Sequence, residues 1–332
     1  MKRKIAVALL GGFCAVLFLV NSDISKRMFA EIIEVCFKNI VPSVFPFVVA
    51  SGMLLSAIES VPINIRITLI YLLGLIFGPP INVSMASELC KNQEIGVNTY
   101  KKLVCCGGVP SIAFTLGMCG KHFGYGKAFC LYLITVLSAI ICGGFFFGDD
   151  ICSKRYDDKS KRNLLCLSVI SDSVRNGIQK TLNVCGFVSF FYVLSGIICY
   201  GINNRYVEVI ICGFFEFSCG CMRALRLSDG FQLVLCAGIL SFSGMSVFLQ
   251  CITTEREKGC EFVISDYLIS RTIQGILSAL TAYLFTYKGV RSTVIFLSAC
   301  ISIAIIFRVL QTVNKNKLIT VCKRSIIKHK NP

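Results

Sequence analysis

The fold class this sequence predicts is an all-α polytopic membrane protein. It reads as about ten hydrophobic segments forming two inverted five-segment repeats with interrupted or re-entrant helices. Three observations point there: the overall composition, a series of long charge-free runs, and helix breakers recurring in the same order in the two halves. Of 332 residues, 55% are hydrophobic and 16% charged, and the mean hydropathy is +0.73. That balance excludes an ordinary water-soluble fold.

The formal net charge is +16, but the surplus is not spread as a nucleic-acid-binding face requires. Three cations open the chain at Lys2, Arg3 and Lys4, and six lie between Lys315 and Lys330. Charge at the ends of a hydrophobic chain reads as membrane orientation. The two histidines, His122 and His329, both stand among cations, which argues against chemistry built on a histidine base or metal ligand. Most of the 20 cysteines fall inside apolar runs, as Cys130, Cys142, Cys199 and Cys300 do. They read as small buried hydrophobes rather than as disulfides or zinc ligands. Neither a phosphate-binding G-x-x-x-x-G-K-[ST] loop nor a nucleophile with a nearby base occurs, so the chain reads as a non-enzyme with no cofactor and no metal.

A helix needs roughly 20 apolar residues to cross the hydrocarbon. Residues 1–21 form an N-terminal membrane anchor: Lys2, Arg3 and Lys4 precede the apolar run Ile5 to Val20, and no small-x-small cleavage site follows. The clearest further spans are Asn39 to Ile58, Ala128 to Gly148, Thr181 to Asn204 and Gly230 to Thr254, none containing a charged side chain. Shorter ones are Ile67 to Pro79, Leu103 to Gly120, Thr272 to Tyr287 and Ser292 to Phe307, while Val207 to Met222 is apolar apart from Glu208 and Glu216. The rest of the organisation is a first repeat over 22–148, a charged central loop over 149–163, a second repeat over 164–310 and a basic cytoplasmic tail over 311–332. Cytoplasmic termini demand an even number of crossings, and ten meets that. Five crossings before the central loop, however, place its five cations outside, against the positive-inside rule. The side on which that loop lies stays open.

The two halves share their punctuation. A polar amphipathic stretch leads into Val35-Cys36 and the Pro/Phe-rich run Val41 to Phe47 in one half, and into Val184-Cys185 and Val188-Ser189-Phe190-Phe191 in the other. A short helix then ends at Phe77-Gly78-Pro79-Pro80 or at Phe215 to Gly220, and a further apolar run is interrupted at Gly107 to Ser111 or at Gly238 to Gly244. Proline lacks an N–H and clashes with the preceding turn, so Pro79, Pro80 and Pro110 cannot lie within unbroken helix. Hydrocarbon offers no hydrogen bonds, which places such backbone inside the protein or against a water-filled cavity. Matching interruptions in two inverted halves are the pattern of a secondary transporter with a midplane site.

These same residues resemble a known family. The lead into Val41-Pro42-Ser43-Val44-Phe45-Pro46-Phe47, the Gly78-Pro79-Pro80 break followed by Met85-Ala86-Ser87-Glu88-Leu89, and the run Ser241 to Gln250 are similar to the sporulation integral membrane protein YlbJ family. That family is grouped with the nucleoside-recognition or gate domains. The resemblance spans roughly residues 25 to 290. It implies a multi-pass protein of the mother-cell-derived outer forespore membrane in spore-forming Firmicutes, moving dipicolinate, a small aromatic dicarboxylate, and needed for spore maturation. It also implies membrane lipid and other spore-envelope membrane proteins as partners, and no nucleic acid. The chain departs from the family in losing a later glycine after Pro80 and in carrying Gly107-Gly108-Val109-Pro110-Ser111 where a Ser-Gly-Pro-like break is usual, which weakens ligand contacts at Asn82 and Ser111.

A dianion in a low-dielectric site needs compensating dipoles and donors. Helix N-termini restarting after each break provide part of this. The expected substrate-binding set is Pro79, Asn82, Ser84, Gly107, Pro110, Ser111, Glu216, Ser218, Gly220, Ser241, Ser243, Gly244 and Gln250, with Phe45, Phe114, Phe242 or Phe248 available to stack on an aromatic solute. Glu216 is expected to carry a coupled proton, to hold Arg223 or Arg226, or to stand at an interfacial end of a helix. Glu88, Lys101 and Lys102 are expected either to guide an anion or to lie at the membrane interface, and the basic tail is expected to fix orientation or meet anionic lipid. Two further readings remain beside dipicolinate transport: a permease for a nucleoside or another small metabolite, and a spore-envelope scaffold acting through the amphipathic segments 22–38 and 164–180.

Overall fold

The computed structural model describes residues 2–58, 61–79, 81–148, 166–228, 230–258 and 264–328. The expected central loop at 149–163 and Pro80 lie outside these residues. No β-strand occurs among the described residues, and 15 α-helices follow one another. They are α1 (Lys2–Val20), α2 (Ser22–Val35), α3 (Val41–Ala57), α4 (Ile63–Phe77), α5 (Ile81–Lys91), α6 (Val97–Cys106), α7 (Ile112–Phe123), α8 (Tyr125–Phe146), α9 (Cys166–Ile198), α10 (Arg205–Phe215), α11 (Phe217–Ala224), α12 (Gln232–Phe242), α13 (Gly244–Lys258), α14 (Ile264–Tyr287) and α15 (Gly289–Lys328). A π-helical turn, Cys36–Ile40, joins α2 to α3.

Among the described residues, six stretches are long and apolar enough to cross a membrane: Ser22–Ala57, Tyr125–Phe146, Leu167–Ile198, Gln232–Glu255, Ile264–Tyr287 and Gly289–Gln311. Lys4–Val20 and Ile63–Phe77 are shorter apolar helices. Such helices are compatible with an integral, multi-pass membrane protein. The difference from ten expected segments has local causes. The run Leu103 to Gly120 divides at Gly107–Ser111 into α6 and α7, and Val207 to Met222 divides at Glu216 into α10 and α11. The amphipathic lead at 22–38 is not separate from the following span, because α2, the π turn and α3 form one rod. The turn widens where Pro42 would otherwise have to donate to the carbonyl four residues back, and the Val41 N–H bonds to Cys36 O, five back.

Two large buried apolar clusters and a smaller one around Leu75, Val109, Tyr132 and Ala139 hold the described residues together. The first gathers α2, α9, α11 and α12 around Ile32, Val188, Cys219 and Leu240. The second gathers α5, α6, α13 and α14 around Val83, Leu103, Cys251 and Tyr267. The cysteines with described side chains are free, and many are buried in these clusters, filling small spaces as weakly polar hydrophobes.

Several charges within the folded part are paired. Arg66 meets Glu94 in a buried ion pair at 2.5 Å, and Lys101 reaches Asp266 at 2.6 Å. Arg223 pairs with Glu208 and Arg226 with Glu31.

Close helix approach depends on glycine at two places. A Cβ at Gly220 would lie 2.4 Å from Gly213 Cα, which lets α11 fold back on α10. A Cβ at Gly74 would lie 2.1 Å from Gly107 O, so α4 rests directly on the turn that follows α6. Nothing in that neighbourhood is a flexible side-chain end that might yield. Gly74→Ala is therefore expected to lower stability by about 1–3 kcal/mol, the range for overpacking. Gly117→Ala, where an added Cβ meets nothing within 4 Å, should leave it unchanged. Thermal unfolding of the two variants in detergent compares them directly.

Candidate functional site

Four interruptions of helix approach one another in pairs, and each has its backbone groups met in a different way. Between α4 and α5, Gly78 adopts φ +82, and a Cβ there would lie 2.7 Å from Val109 O in the turn after α6. Only glycine suits both that dihedral and that contact. At the α6 end Leu103 O already accepts the Gly107 N–H at 3.0 Å, the carbonyls beyond it lack a helical partner, and buried side chains from elsewhere bond to three of these oxygens. Asn82 Nδ2 donates to Leu103 O at 2.7 Å. Gln274 Nε2 donates to Cys105 O at 3.0 Å, and Arg271 Nη1 donates to Gly108 O at 2.5 Å. Ser111 caps the helix that restarts, its Oγ accepting the Phe114 N–H at 3.2 Å.

The second half solves the same problem with other residues. Glu216 stands in extended backbone between α10 and α11, and its Oε2 accepts both the Cys219 N–H at 2.8 Å and the Ser218 hydroxyl. A carboxylate at a helix N-terminus is favoured by the aligned peptide dipoles. Its other oxygen, Oε1, is buried without a hydrogen-bond partner. Between α12 and α13, Ser243 and Gly244 both have positive φ, 71 and +77. Gly244 sits against the Glu216 break, since a Cβ there would be 3.2 Å from both Phe215 O and Phe217 N.

Between these pairs lies a chamber of about 50 Å³. Pro79, Pro110, Ser111 and Phe114 supply one side of it, and Phe217, Ser218, Ser243 and Gln250 the other. Ile40 and Val44 of the α2–α3 rod, with Val184 and Val188 of α9, close the rest. In this conformation the space suits a few waters rather than an organic solute, for which about 300–1,000 Å³ is usual.

A second cavity, of about 370 Å³, follows along the same wall helices. Val48, Ser51, Leu55 and Ser56 of α3 line it, with Ile81, Ser84 and Glu88 of α5 and Asp172, Ser173, Asn176 and Lys180 of α9. The wall changes from apolar to polar on passing from the chamber to this outer cavity. Lys180 Nζ donates to Ser84 Oγ at 2.9 Å across it.

The thirteen expected residues thus divide. Pro79, Pro110, Ser111, Ser218, Ser243 and Gln250 line the chamber, and Glu216 backs it through Ser218. Ser84 belongs to the outer cavity. Asn82 and Gly107 build the turn after α6, and Gly220 and Gly244 permit close backbone approach. Ser241 is turned to α14, its Oγ 2.6 Å from that of Ser278. Of the four aromatic candidates only Phe114 reaches the chamber. Phe242 stacks on Phe214 and Phe248 packs on Tyr267, while Phe45 approaches α9 at Gly177.

One expectation needs correction. Glu216 holds neither Arg223 nor Arg226, because Glu208 and Glu31 take those cations. Glu88, for which two positions were open, lines the outer cavity. Reading the sequence also passed over Lys180 and Arg271. Each stands one residue before a charge-free run, at Thr181 and Thr272, so a search for such runs takes them for boundaries, yet Arg271 is fully buried.

The Glu216 cap yields a stability prediction. Glu216→Ala removes the acceptor of the Cys219 N–H and should cost about 0.5–2 kcal/mol, as loss of an N-cap does. Glu216→Gln keeps an acceptor oxygen and should lose less than half of that, again read from unfolding midpoints in detergent. As for likeness to known proteins, no family model, no curated protein and no solved structure matches this chain.

Proposed function

We propose that the chain is a sporulation membrane transporter that moves dipicolinate across the outer forespore membrane by alternating access, as spore maturation requires. The observation that carries this reading is the chamber walled by helix breaks from both halves. Irregular backbone inside a hydrophobic bundle is kept where it lines a solute path.

The order of elements supports two repeats. The rod α2–α3 is followed by α4, α5, α6, α7 and α8, and α9 by α10, α11, α12, α13 and α14. Each set runs from a long helix through two broken pairs to another long helix. Packing is reciprocal as well: α6 lies on α14 and α12 on α8, while α4 meets α7 and α10 meets α13. An exchange of that kind is what a pseudo-two-fold axis between two repeats produces, and inverted repeats rocking about such an axis expose a central site alternately to the two sides. The serine hydroxyls and Gln250 supply donors for a carboxylate, and Phe114 and Phe217 an apolar, aromatic wall.

A nucleoside or other small-metabolite permease of the gate-domain group is the alternative within transport, since hydroxyls, an amide and aromatic rings also suit an uncharged polar solute. A non-transporting envelope scaffold is the third reading. Of its amphipathic segments 22–38 and 164–180, the described residues 22–38 and 166–180 are continuous with the helices that wall the chamber.

Purified protein in liposomes distinguishes these. Labelled dipicolinate should accumulate above the level of empty vesicles, and Gln250→Leu should reduce its uptake by roughly tenfold, the weight of one lost hydrogen bond to a charged group. Uptake of a labelled nucleoside in place of dipicolinate would select the permease reading, and background uptake of both would select the scaffold. Glu216→Gln, tested in the same vesicles, should make uptake independent of pH, the outcome that identifies Glu216 as the proton carrier. An unchanged pH profile assigns Glu216 to helix capping alone.

A further inference from the structure

Two pairs of short helices are hairpins that enter the bundle from opposite ends. Arg66, on the first turn of α4, meets Glu94 just beyond α5 at 2.5 Å, while the tip between these helices, at Phe77 and Pro79, lines the chamber. Glu208, on the first turn of α10, pairs with Arg223 at the end of α11, and the tip between them, at Phe217 and Ser218, lines the same chamber. A helix of 11 residues, as α5 and α10 are, is about 16 Å long, roughly half the hydrocarbon thickness. Each pair is thus long enough to reach the middle of a bilayer and turn back, and too short to cross it twice.

Contacts between helix ends sort the other elements onto the same two faces. On the face where α4–α5 opens, Lys101 at the start of α6 reaches Asp266 at the start of α14 at 2.6 Å, and Tyr100 donates to Glu255 near the end of α13. There too Phe145, at the end of α8, stacks on Phe307 of α15 with ring centroids 4.4 Å apart, and α3 approaches the beginning of α9 where a Cβ at Gly52 would lie 3.0 Å from Ser173 Oγ. On the face where α10–α11 opens, Gln232 at the start of α12 donates to Leu225 O, just past α11, at 3.3 Å and lies 3.2 Å from His122 at the end of α7. Phe231 there packs on Tyr287 at the end of α14, 5.6 Å away, and a Cβ at Gly196, near the end of α9, would fall on Met28 of α2. From α2 onward, seven elements therefore run from one face to the other in alternating directions: α2–α3, α6–α7, α8, α9, α12–α13, α14 and α15.

The first face is the cationic one. Lys91 ends α5 and Lys101 and Lys102 stand near the start of α6. The chain leaves this face after α8 and returns to it at α9, and residues 149–163 between them hold five cations. Six more lie between Lys315 and Lys330, beyond the point where α15 reaches this face at Arg308. On the second face no connection carries more than two, as at Lys121 and Lys127 or Lys288 and Arg291. Basic connections stay cytoplasmic. Because α4–α5 returns to its own face, one crossing drops out of the first half, and the cations of 149–163 come to the same side as the tail. The outer cavity lies toward this face as well: Ser56 near the end of α3, Glu88 near the end of α5 and Val169 near the start of α9 line it.

We propose that α4–α5 and α10–α11 are re-entrant hairpins entering from opposite sides of the membrane, that the first face is cytoplasmic, and that the outer cavity is the mouth at which a solute meets the protein from the cytoplasm. The inference goes beyond the transport reading and does not depend on which solute is carried.

Two native thiols already report on it: Cys152 lies between α8 and α9, and Cys322 in the tail. Single exchanges at exposed positions, Lys91→Cys, Lys127→Cys, Asn203→Cys and Ser228→Cys, add the connections, and Ser56→Cys adds the outer cavity. A membrane-impermeant methanethiosulfonate is applied to spheroplasts and to inside-out vesicles of an expressing bacterium, and peptide-resolved mass spectrometry reads each thiol separately. Cys152, Cys322 and the thiols of Lys91→Cys and Ser56→Cys should react at least tenfold faster in the inside-out vesicles. Those of Lys127→Cys, Asn203→Cys and Ser228→Cys should react at least tenfold faster in the spheroplasts. Reaction of the Lys91→Cys thiol from outside would overturn the first hairpin, and opposite preferences at Asn203→Cys and Ser228→Cys the second. Reaction of Cys152 and Cys322 from outside would overturn the cytoplasmic assignment. A Ser56→Cys thiol that reacts from outside, or from neither side, would overturn the cavity as the cytoplasmic mouth, and equal rates in both preparations would overturn the assignment of any position that gave them. Uptake plays no part in these readouts, so vesicles that take up no dipicolinate would end the transport reading and leave the topology standing.

Discussion

Backbone amides and carbonyls inside a hydrocarbon-facing bundle must find partners within the protein, and the arrangement of this molecule follows from how that requirement is met. Unbroken helix satisfies it locally over α8, α9 and α14. At the four breaks it cannot, and each break is instead closed by a side chain or by a neighbouring break. The α6 end is closed by Asn82, Gln274 and Arg271 reaching in from two other helices. The α11 start is closed by Glu216. The turns at Gly78 and Gly244 rest on the other break of their own half with no room for a side chain. Satisfying four irregular segments in one region brings them together, and a small space with hydroxyls and an amide at its edge results.

The two sides of that space are backed by a buried guanidinium and a buried carboxyl group. Arg271 is fully buried behind the Gly107–Ser111 turn, and two of its nitrogens, Nε and Nη2, have no hydrogen-bond partner. Its ring contact with Tyr267, at 5.1 Å, is of the cation–π kind. Glu216, equally buried, stands behind Ser218 with one free oxygen. A second buried carboxylate, Glu255, accepts from Tyr100 and leaves Oε2 unpaired. Buried ions that lack their full complement of partners are costly. Their setting differs from that of Arg66 and Glu94, which neutralise one another through two contacts.

Much of the fold was legible from order alone. Alternation of charge-free runs with clusters of Gly, Pro and polar residues marked four stretches, and each of them contains one of the four breaks. What could not be read was whether a run crosses as one helix or as two half-helices. The segment Val207 to Met222 shows why: Glu216 interrupts it without a proline, because a carboxylate turned back on the Cys219 N–H starts a new helix, and the same residue facing outward need not. Six of the thirteen expected site residues meet at the chamber since helix breakers line cavities for a general reason. The others serve the backbone, and Asn82 illustrates the distinction: the residue after a break can donate to a solute or to a carbonyl, and the nearness of Leu103 O decided for the carbonyl.

Composition and periodicity by themselves determined that the chain is helical, suited to a membrane and broken at repeated places, because hydropathy, proline geometry and glycine freedom are properties of single residues and short windows. Only the tertiary structure decided which breaks touch, which polar groups are left facing a cavity, and that Lys180 and Arg271 lie within the folded bundle instead of at its edge. Those outcomes depend on contacts between residues as distant as Gly108 and Arg271, or Ser84 and Lys180, and no local pattern encodes which partner a buried polar group will find.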